Sequence, residues 1–339
     1  MTKLAALNDT DGKPVDWWFI YKLPTGVGSG PAEGFNYLYY DSNTSGKLAL
    51  SPKTLDKGDS ALHNTLRQVF EGDRNKTDYI VYNDENPREN VSNNSLKGHV
   101  KGGLTFDKST DSAILLTHST PRFPAVDEIE LPEKEQRYGQ TYLCVTLENY
   151  STANQLAHQL RHMHQPQITA FKLGTDILPG EDLYQLAHGD KVEVSGLSSM
   201  IEFQSRAGKT FHSFAKNRRW GKNFWLELVA PALQGDLMVE SWIRGAIPPD
   251  EEKGESIEDI FQLDFTNIGL EGISWKETKD HAKWAISMKG KRKWICVGDL
   301  NRMISQEKRG GGTIAFQEPN LWKSLFGAHS KIRDRQPGD

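Results

Sequence analysis

The sequence predicts a mixed α/β fold, in the α+β sense: two β-rich halves, each a sheet flanked by a few helices, with a site between them. Three observations lead there. Strand-like apolar runs outnumber helical patterns along the 339 residues. A His-x-Lys motif stands in each half, His99-Val100-Lys101 and His281-Ala282-Lys283, each followed by a polar turn and a second apolar run. The strand pattern also restarts around Pro166, which divides the chain into halves at 1–165 and 166–339.

Taken in order, Asp16–Leu23 has the near-continuous apolar content of a buried strand, closed by Pro24 and a glycine-rich loop. Asn36–Asp41 and Leu48–Ser51 read as further strands, and Asp59-Ser60 caps a helix reaching Phe70 with Leu62, Leu66, Val69 and Phe70 on one face. Asp78–Asn83 is a strand entering the loop Asp84-Glu85-Asn86-Pro87. The first hairpin pairs His99–Asp107 with Ser112–His118; Thr141–Glu148 follows, and then a helix capped by Ser151 that Pro166 terminates. In the second half, strands are expected at Ile168–Leu173, Val192–Ser195, Met200–Gln204, Thr210–Phe214, Trp225–Val229, Leu237–Ile243 and Phe261–Leu270. The second hairpin, Ala282–Met288 with Lys293–Leu300, and a short helix at Pro319–Phe326 complete the chain.

Composition narrows the function classes. A hydrophobic content of 37% and a mean hydropathy of −0.61 describe a soluble globular protein, and the longest apolar runs are strand-sized, so no membrane partner is expected. The net charge of −4 gives no general affinity for polyanions, so any such site must be local. Two cysteines, Cys144 and Cys296, form neither a disulfide framework nor a metal spacing. The N-terminal residues lack the apolar core of a signal peptide, which places the protein in the cytosol or, if a leader has been removed, in the periplasm or outside the cell. His158 and His162 share a helix face at i,i+4, but the Glu of a His-Glu-x-x-His motif is missing and the sequence offers no third ligand, so they are read as surface histidines.

The His-x-Lys copies carry the chemistry. Two residues apart on a strand, an imidazole and an ammonium project from one face. His118 stands 17 residues after Lys101, and Asn301 stands 18 after Lys283. With turns at Ser109 and Arg292, each hairpin is expected to return that polar residue beside its motif. About one such tripeptide is expected by chance. The third copy, His329-Ser330-Lys331, lies in a polar tail with no return strand and is read as that accident.

Two histidines and two lysines suit phosphodiester hydrolysis. One neutral imidazole attacks phosphorus and forms a phosphohistidine; the other, protonated, supplies the leaving oxygen and then activates water. Lys101, Lys283 and Asn301 would hold the phosphoryl oxygens, a task that metal ions perform elsewhere. No carboxylate cluster with metal spacing accompanies these motifs, so neither metal nor other cofactor is expected. The requirement for one charged and one neutral histidine predicts a bell-shaped pH profile, on the acid side. Basic residues interleaved with aromatics between Arg206 and Lys222, and the run Lys289, Lys291, Arg292, Lys293 beside Trp294, have the ingredients of a nucleic-acid groove. From these, Lys216, Arg218, Arg219, Trp220 and Lys222, together with Arg302, are the expected DNA contacts.

At these motifs the chain resembles the deoxyribonuclease II family, whose catalytic core is similar to the phospholipase D superfamily. The blocks that carry the resemblance are Val15–Pro24, Tyr82-Asn83-Asp84, Gly98–Gly102, His118-Ser119-Thr120-Pro121, Ser213–Lys216, Asp280–Trp284, Cys296–Arg302 and Arg309–Thr313, in family order from about residue 15 to about residue 326. The resemblance implies two pseudo-symmetric phospholipase D-like halves facing each other across a cleft. It also implies a metal-independent endonuclease on double-stranded DNA that leaves 3′-phosphate and 5′-hydroxyl ends. The family's catalytic positions fall on His99, Lys101, His118, His281, Lys283 and Asn301, with His99 as nucleophile and His281 as general acid by analogy. Animal members are stapled by disulfides, whereas here Ile314 stands where a partner for Cys296 would be expected, which fits a bacterial or divergent member. The rival readings are a phosphodiesterase of the same fold acting on lipids or small molecules, and a DNA-binding protein without catalysis; a homodimer is left open.

Overall fold

Alternation within one strand sets the layers. In Trp17–Lys22, Trp17, Phe19 and Tyr21 point into one hydrophobic cluster, while Trp18 and Ile20 point into another. The strand is fully buried because both of its faces are covered. The computed structural model describes residues 2–28, 33–71, 77–88, 96–126, 128–189, 192, 196–252, 254–288 and 292–332, and among these the architecture is α+β, dominated by two large sheets.

The first sheet runs in the order Ile168–Lys172, Asp78–Tyr82, Gly102–Asp107, Ser112–His118, Gln140–Leu147, Trp17–Lys22, Tyr37–Asp41, Ala49–Leu50, all neighbours antiparallel. The second runs Ser198–Gln204, Thr210–Lys216, Gly311–Gln317, Trp294–Gly298, Lys283–Ser287, Leu237–Ser241, Glu255–Asp264, Glu251–Glu252; its one parallel pair along this path joins Leu237–Ser241 to Glu255–Asp264. The first sheet therefore extends past residue 165 and takes Ile168–Lys172 as its edge.

The sheets share one core. Phe19, Tyr21, Leu104, Leu115 and Val145 of the first meet Trp284, Ile286, Ile295, Val297 and Phe316 of the second in a single cluster, with the rings of Trp17 and Phe316 at 5.1 Å. The outer face of the first sheet is covered by the helix Ala61–Phe70, whose Leu62, Leu66 and Val69 pack on Trp18 and Ile20. Ser60 caps that helix, its hydroxyl accepting from the His63 N–H. The outer face of the second sheet is covered by Trp225, Leu226, Val229 and Leu233 against Phe214, Leu237 and Val239.

Some expectations are corrected. Trp225–Val229 is not a strand but a π-helical turn running into the helix Ala230–Leu233. Its apolar positions recur with helical spacing, and so short an apolar run does not separate the two conformations. The helix after the Gln140–Leu147 strand is capped by Asn149, not Ser151; the Asn149 side chain accepts from the Thr152 N–H. It ends in a π turn, Leu160–His164, with Gln165 left-handed. The central strand Gly311–Gln317 and the helix Asp182–His188 are additions to the expected elements. Of the remaining expectations, the strand at 193–195 and the cations Lys289 and Lys291 lie outside the described residues. Both cysteines are free and buried, and no described helix is long and apolar enough to cross a membrane.

Candidate active site at the seam of the sheets

Both His-x-Lys motifs lie where the chain enters a hairpin. Gly102–Asp107 pairs with Ser112–His118 in the register Gly102↔Thr117. The His118 N–H donates to the Lys101 carbonyl at 3.1 Å, so His118 returns beside Lys101 as the spacing predicts. In the second hairpin Trp284 pairs with Val297; continued, that register sets Gly298 opposite Lys283. Asn301 therefore lies three residues beyond the pair, buried, with its carboxamide oxygen lacking a hydrogen-bond partner.

Each motif is tied to the other sheet's loops. The His99 N–H donates to Gly310 O and the His281 N–H donates to Gly139 O, both at 2.8 Å. Gly98 and Gly310 both abut the carbonyl oxygen of His164, where an added Cβ would come within 2.1 and 2.4 Å; only glycine fits at either position. Asp280 accepts from Tyr21 Oη at 2.5 Å, Trp275 Nε1 at 2.7 Å and Ala282 N at 2.8 Å, which fixes the backbone on either side of His281.

The two imidazoles have different partners. His99 Nδ1 donates to the Asp299 carbonyl at 2.6 Å, leaving Nε2 without its proton in the neutral ring. Burial, reinforced by Lys101, pushes His99 well below the usual histidine range, against the opposing pull of Asp84. His281 Nδ1 instead meets a carboxylate, Glu135 Oε2, at 3.2 Å, and its Nε2 is buried without a hydrogen-bond partner. Burial lowers its pKa also, but Glu135 opposes that shift. Tyr138 stacks on the His281 ring at 3.8 Å and Trp242 closes on it at 4.6 Å. Glu135 is oriented in turn by Gln140 Nε2 at 2.9 Å. The fully buried Lys22 pins the same segment by donating to Gln136 O at 2.9 Å.

The remaining expected catalytic residues are buried too. His118 Nδ1 accepts from Thr120 N–H at 3.2 Å, so the proton sits on Nε2, which has no partner. Its pKa falls to about 3 through burial first and Lys101 second, so it stays neutral and can only donate. Lys283 donates to the His281 carbonyl at 2.5 Å, and burial, then Lys101, brings it down to about 7. Lys101 acts electrostatically on His281 and Lys283 acts on His99, so the two motifs share one field.

Residues of the resembling blocks to which the sequence assigned no role complete the cluster. Asp84 faces Lys101 Nζ at 2.6 Å and His99 Nε2 at 3.3 Å, with Arg309 Nη2 at 3.9 Å. Burial would raise the Asp84 carboxyl, but the Lys101 ammonium beside it holds it far below the usual carboxylate range. The Asp299 carboxyl, by contrast, is pushed up to about 7 by burial.

The expected DNA contacts divide. Arg218, Arg219 and Lys222 are exposed and Trp220 is half-buried, with Lys222 paired to Glu227 at 2.9 Å. Asn217, at the base of that loop, donates to His162 O at 3.2 Å, which ties the loop to the turn seated between Gly98 and Gly310. Lys216 and Arg302 face inward instead. Lys216 donates to the carbonyls of Gln306, Glu307 and Arg309 at 3.0, 2.9 and 2.5 Å and so positions Arg309. Arg302 is fully buried, paired with Asp259 and Asp250 at 2.5 Å each. The Arg302 charge is neutralised by its two carboxylates, and the three donors of Lys216 are taken up by backbone carbonyls, so neither cation is presented to solvent.

His158 and His162 stack at 4.1 Å, and Asp182 supplies the third donor that the sequence did not reveal. Arg161 already binds that carboxylate.

Comparison with known proteins agrees across the chain. The model of the family "Deoxyribonuclease II" matches residues 8–334. The chain is 42% identical over 325 residues to a protein of Burkholderia thailandensis named "Putative deoxyribonuclease-2", covering 94% of this chain and 90% of that one. It is 34% identical to the deoxyribonuclease-2 of Caenorhabditis elegans, covering 93% and 90% respectively. It is 30% identical to plancitoxin-1 of Acanthaster planci, covering 94% and 89%.

Proposed function

The chain belongs to the deoxyribonuclease II family, and from that premise we propose that it is an endodeoxyribonuclease that cuts double-stranded DNA at the seam between its sheets. It works through a phosphohistidine and without a metal ion, leaving 3′-phosphate and 5′-hydroxyl ends. The two halves, whose proposed division near residue 165 moves past the edge strand Ile168–Lys172 of the first sheet, each contribute one hairpin to the site.

The observation that carries the mechanism is the inequality of the two histidines. Each ring faces a carboxylate, but Glu135 sits behind His281 on Nδ1 and leaves its Nε2 free to act, whereas His99 has a backbone carbonyl on Nδ1 and meets Asp84 only at Nε2, the atom that must engage phosphorus. A carboxylate stabilises imidazolium and a carbonyl only fixes a tautomer. His281 therefore suits the general acid and His99 the neutral nucleophile. His99 Nε2 attacks phosphorus as His281 Nε2–H protonates the departing O5′, and the 3′-phosphoryl group is held on His99. Neutral His281 then takes a proton from water as the water attacks phosphorus, and the N–P bond breaks to release the 3′-phosphate. Lys101, Lys283 and His118 Nε2–H offer donors to the phosphoryl oxygens, with Asn301 assigned to the same task. The exposed Arg218, Arg219 and Lys222, with the half-buried Trp220, take the flanking strand.

Plasmid nicking from about pH 4.5 to 8 in excess EDTA, with wild type, His99→Ala and His281→Ala, tests this. Cutting by wild type alone, with 3′-phosphate ends on labelled fragments, is expected; loss of cutting in EDTA, or cutting by either variant, overturns it.

A further inference from the structure

We infer that in the free enzyme the Asp84 carboxylate occupies the place of the scissile phosphate, and that DNA engages His99 and Lys101 by displacing it. The inference rests on the catalytic reading of those two residues.

The argument is first steric. A nucleophile reacts from about 3 to 3.5 Å, and Asp84 Oδ2 already stands 3.3 Å from His99 Nε2. That is the atom that must meet phosphorus, so phosphorus and Oδ2 cannot both be present. The second argument is electrostatic. Asp84 Oδ1 is paired with Lys101 Nζ at 2.6 Å, and Arg309 approaches Oδ2 at 3.9 Å. The cations that would bind a phosphodiester anion are neutralised by a carboxylate anion, so one single negative charge replaces another. Exchange leaves the buried charge balance intact, whereas adding a phosphate beside Asp84 would set two anions in contact.

The local structure lets the side chain move while the chain stays fixed. Asn83 is clamped: its N–H donates to Gln167 O at 3.1 Å, and its carboxamide donates to Thr120 O at 3.1 Å and Phe123 O at 2.9 Å. Its Oδ1 accepts from Glu85 N at 3.0 Å, and Glu85 pairs with Arg122 at 2.9 Å. Asp84 thus sits on a fixed backbone and leaves the site by a change of rotamer. On the return stroke it competes with the phosphomonoester product for the same cations.

Inorganic phosphate is the probe, titrated calorimetrically into the full chain as wild type, Asp84→Asn and Asp84→Ser, with DNA KM and kcat measured in parallel and folding checked by melting temperature. Removing a unit charge at contact distance should tighten phosphate binding at least about tenfold in both variants, with KM for plasmid falling in the same sense. Phosphate affinity that is unchanged or weaker in the folded variants overturns the inference, as does a collapse of kcat at unchanged KM, which would make Asp84 a participant in the chemistry. Phosphate titration needs no turnover, so failure of the nuclease reading through an active His99→Ala enzyme is told apart from failure of the displacement.

Discussion

Glu240 is a buried acid with no stated task, and its removal has a calculable signature. It lies on Leu237–Ser241, paired across to Trp284 of the motif strand, and is fully buried with neither carboxyl oxygen hydrogen-bonded. Burial raises its pKa well above the ordinary 4.5, and the nearby Asp280, Glu277 and Asp259 raise it further. The folded state therefore keeps a proton that the unfolded chain releases. A group raised on folding contributes its stability below the unfolded pKa and loses it as pH climbs toward the folded pKa. In that window the slope from one retained proton is about −1.4 kcal/mol per pH unit. Glu240→Gln abolishes the term, so its stability relative to wild type should rise with pH above the unfolded pKa, at up to about that slope. The absolute offset depends on how the carboxamide is accommodated; the slope does not. Urea unfolding of both proteins across that pH range measures it, and parallel stability profiles would refute the buried neutral acid.

Glu135→Gln removes the carboxylate that favours His281 imidazolium, so the alkaline limb of kcat against pH should move about one unit toward acid, while the limb set by His99 stays. Arg302→Lys should destabilise the fold by about 3 kcal/mol or more, because one cation cannot satisfy Asp259, Asp250 and the carbonyls of Pro248 and Pro249 together; thermal melting reads this. Arg218→Ala with Arg219→Ala should leave the melting temperature in place, weaken DNA binding and flatten its salt dependence by about two in slope.

What the sequence disclosed follows from the range over which each feature is written. Trp17–Lys22 and Ser112–His118 are legible because a near-continuous apolar run states its own burial. Trp225–Val229 is not, since four apolar residues around Glu227 fit a strand or a helix equally well and the choice depends on Phe214 and Val239 beneath them. His99 and Lys101 could be read because two residues suffice to place them. Glu135 could not: it belongs to the charged run Glu133-Lys134-Glu135, which has the composition of a solvated turn, and its partner His281 lies 146 residues away. Asp84 closes the block Tyr82-Asn83-Asp84 that carries the resemblance, but nothing in that block states its pairing with His99 and Lys101. The basic residues around 216–222 show the converse error, because composition does not distinguish Arg218, which is exposed, from Lys216, which is buried two positions earlier. The left-over His329-Ser330-Lys331 forms an edge strand whose residues are mostly exposed, His329 being half-buried, on Glu255–Asp264.

The placement of the site also bears on whether either half can stand alone. The inward faces of both sheets belong to one cluster, with Phe19, Tyr21, Leu104 and Val145 facing Trp284, Ile286, Val297 and Phe316. Cutting near residue 165 would expose that face in each piece and break polar ties, among them Tyr21 to Asp280, His99 to Asp299 and His281 to Glu135. A flat apolar face of that size is not tolerated in water. Residues 1–165 and 166–339 expressed separately should be aggregated or molten, and co-expression should recover a soluble complex that nicks plasmid. Sharp, cooperative urea unfolding of either piece by itself would show that the shared core is an interface between independent domains, and that the seam carrying His99 and His281 can open.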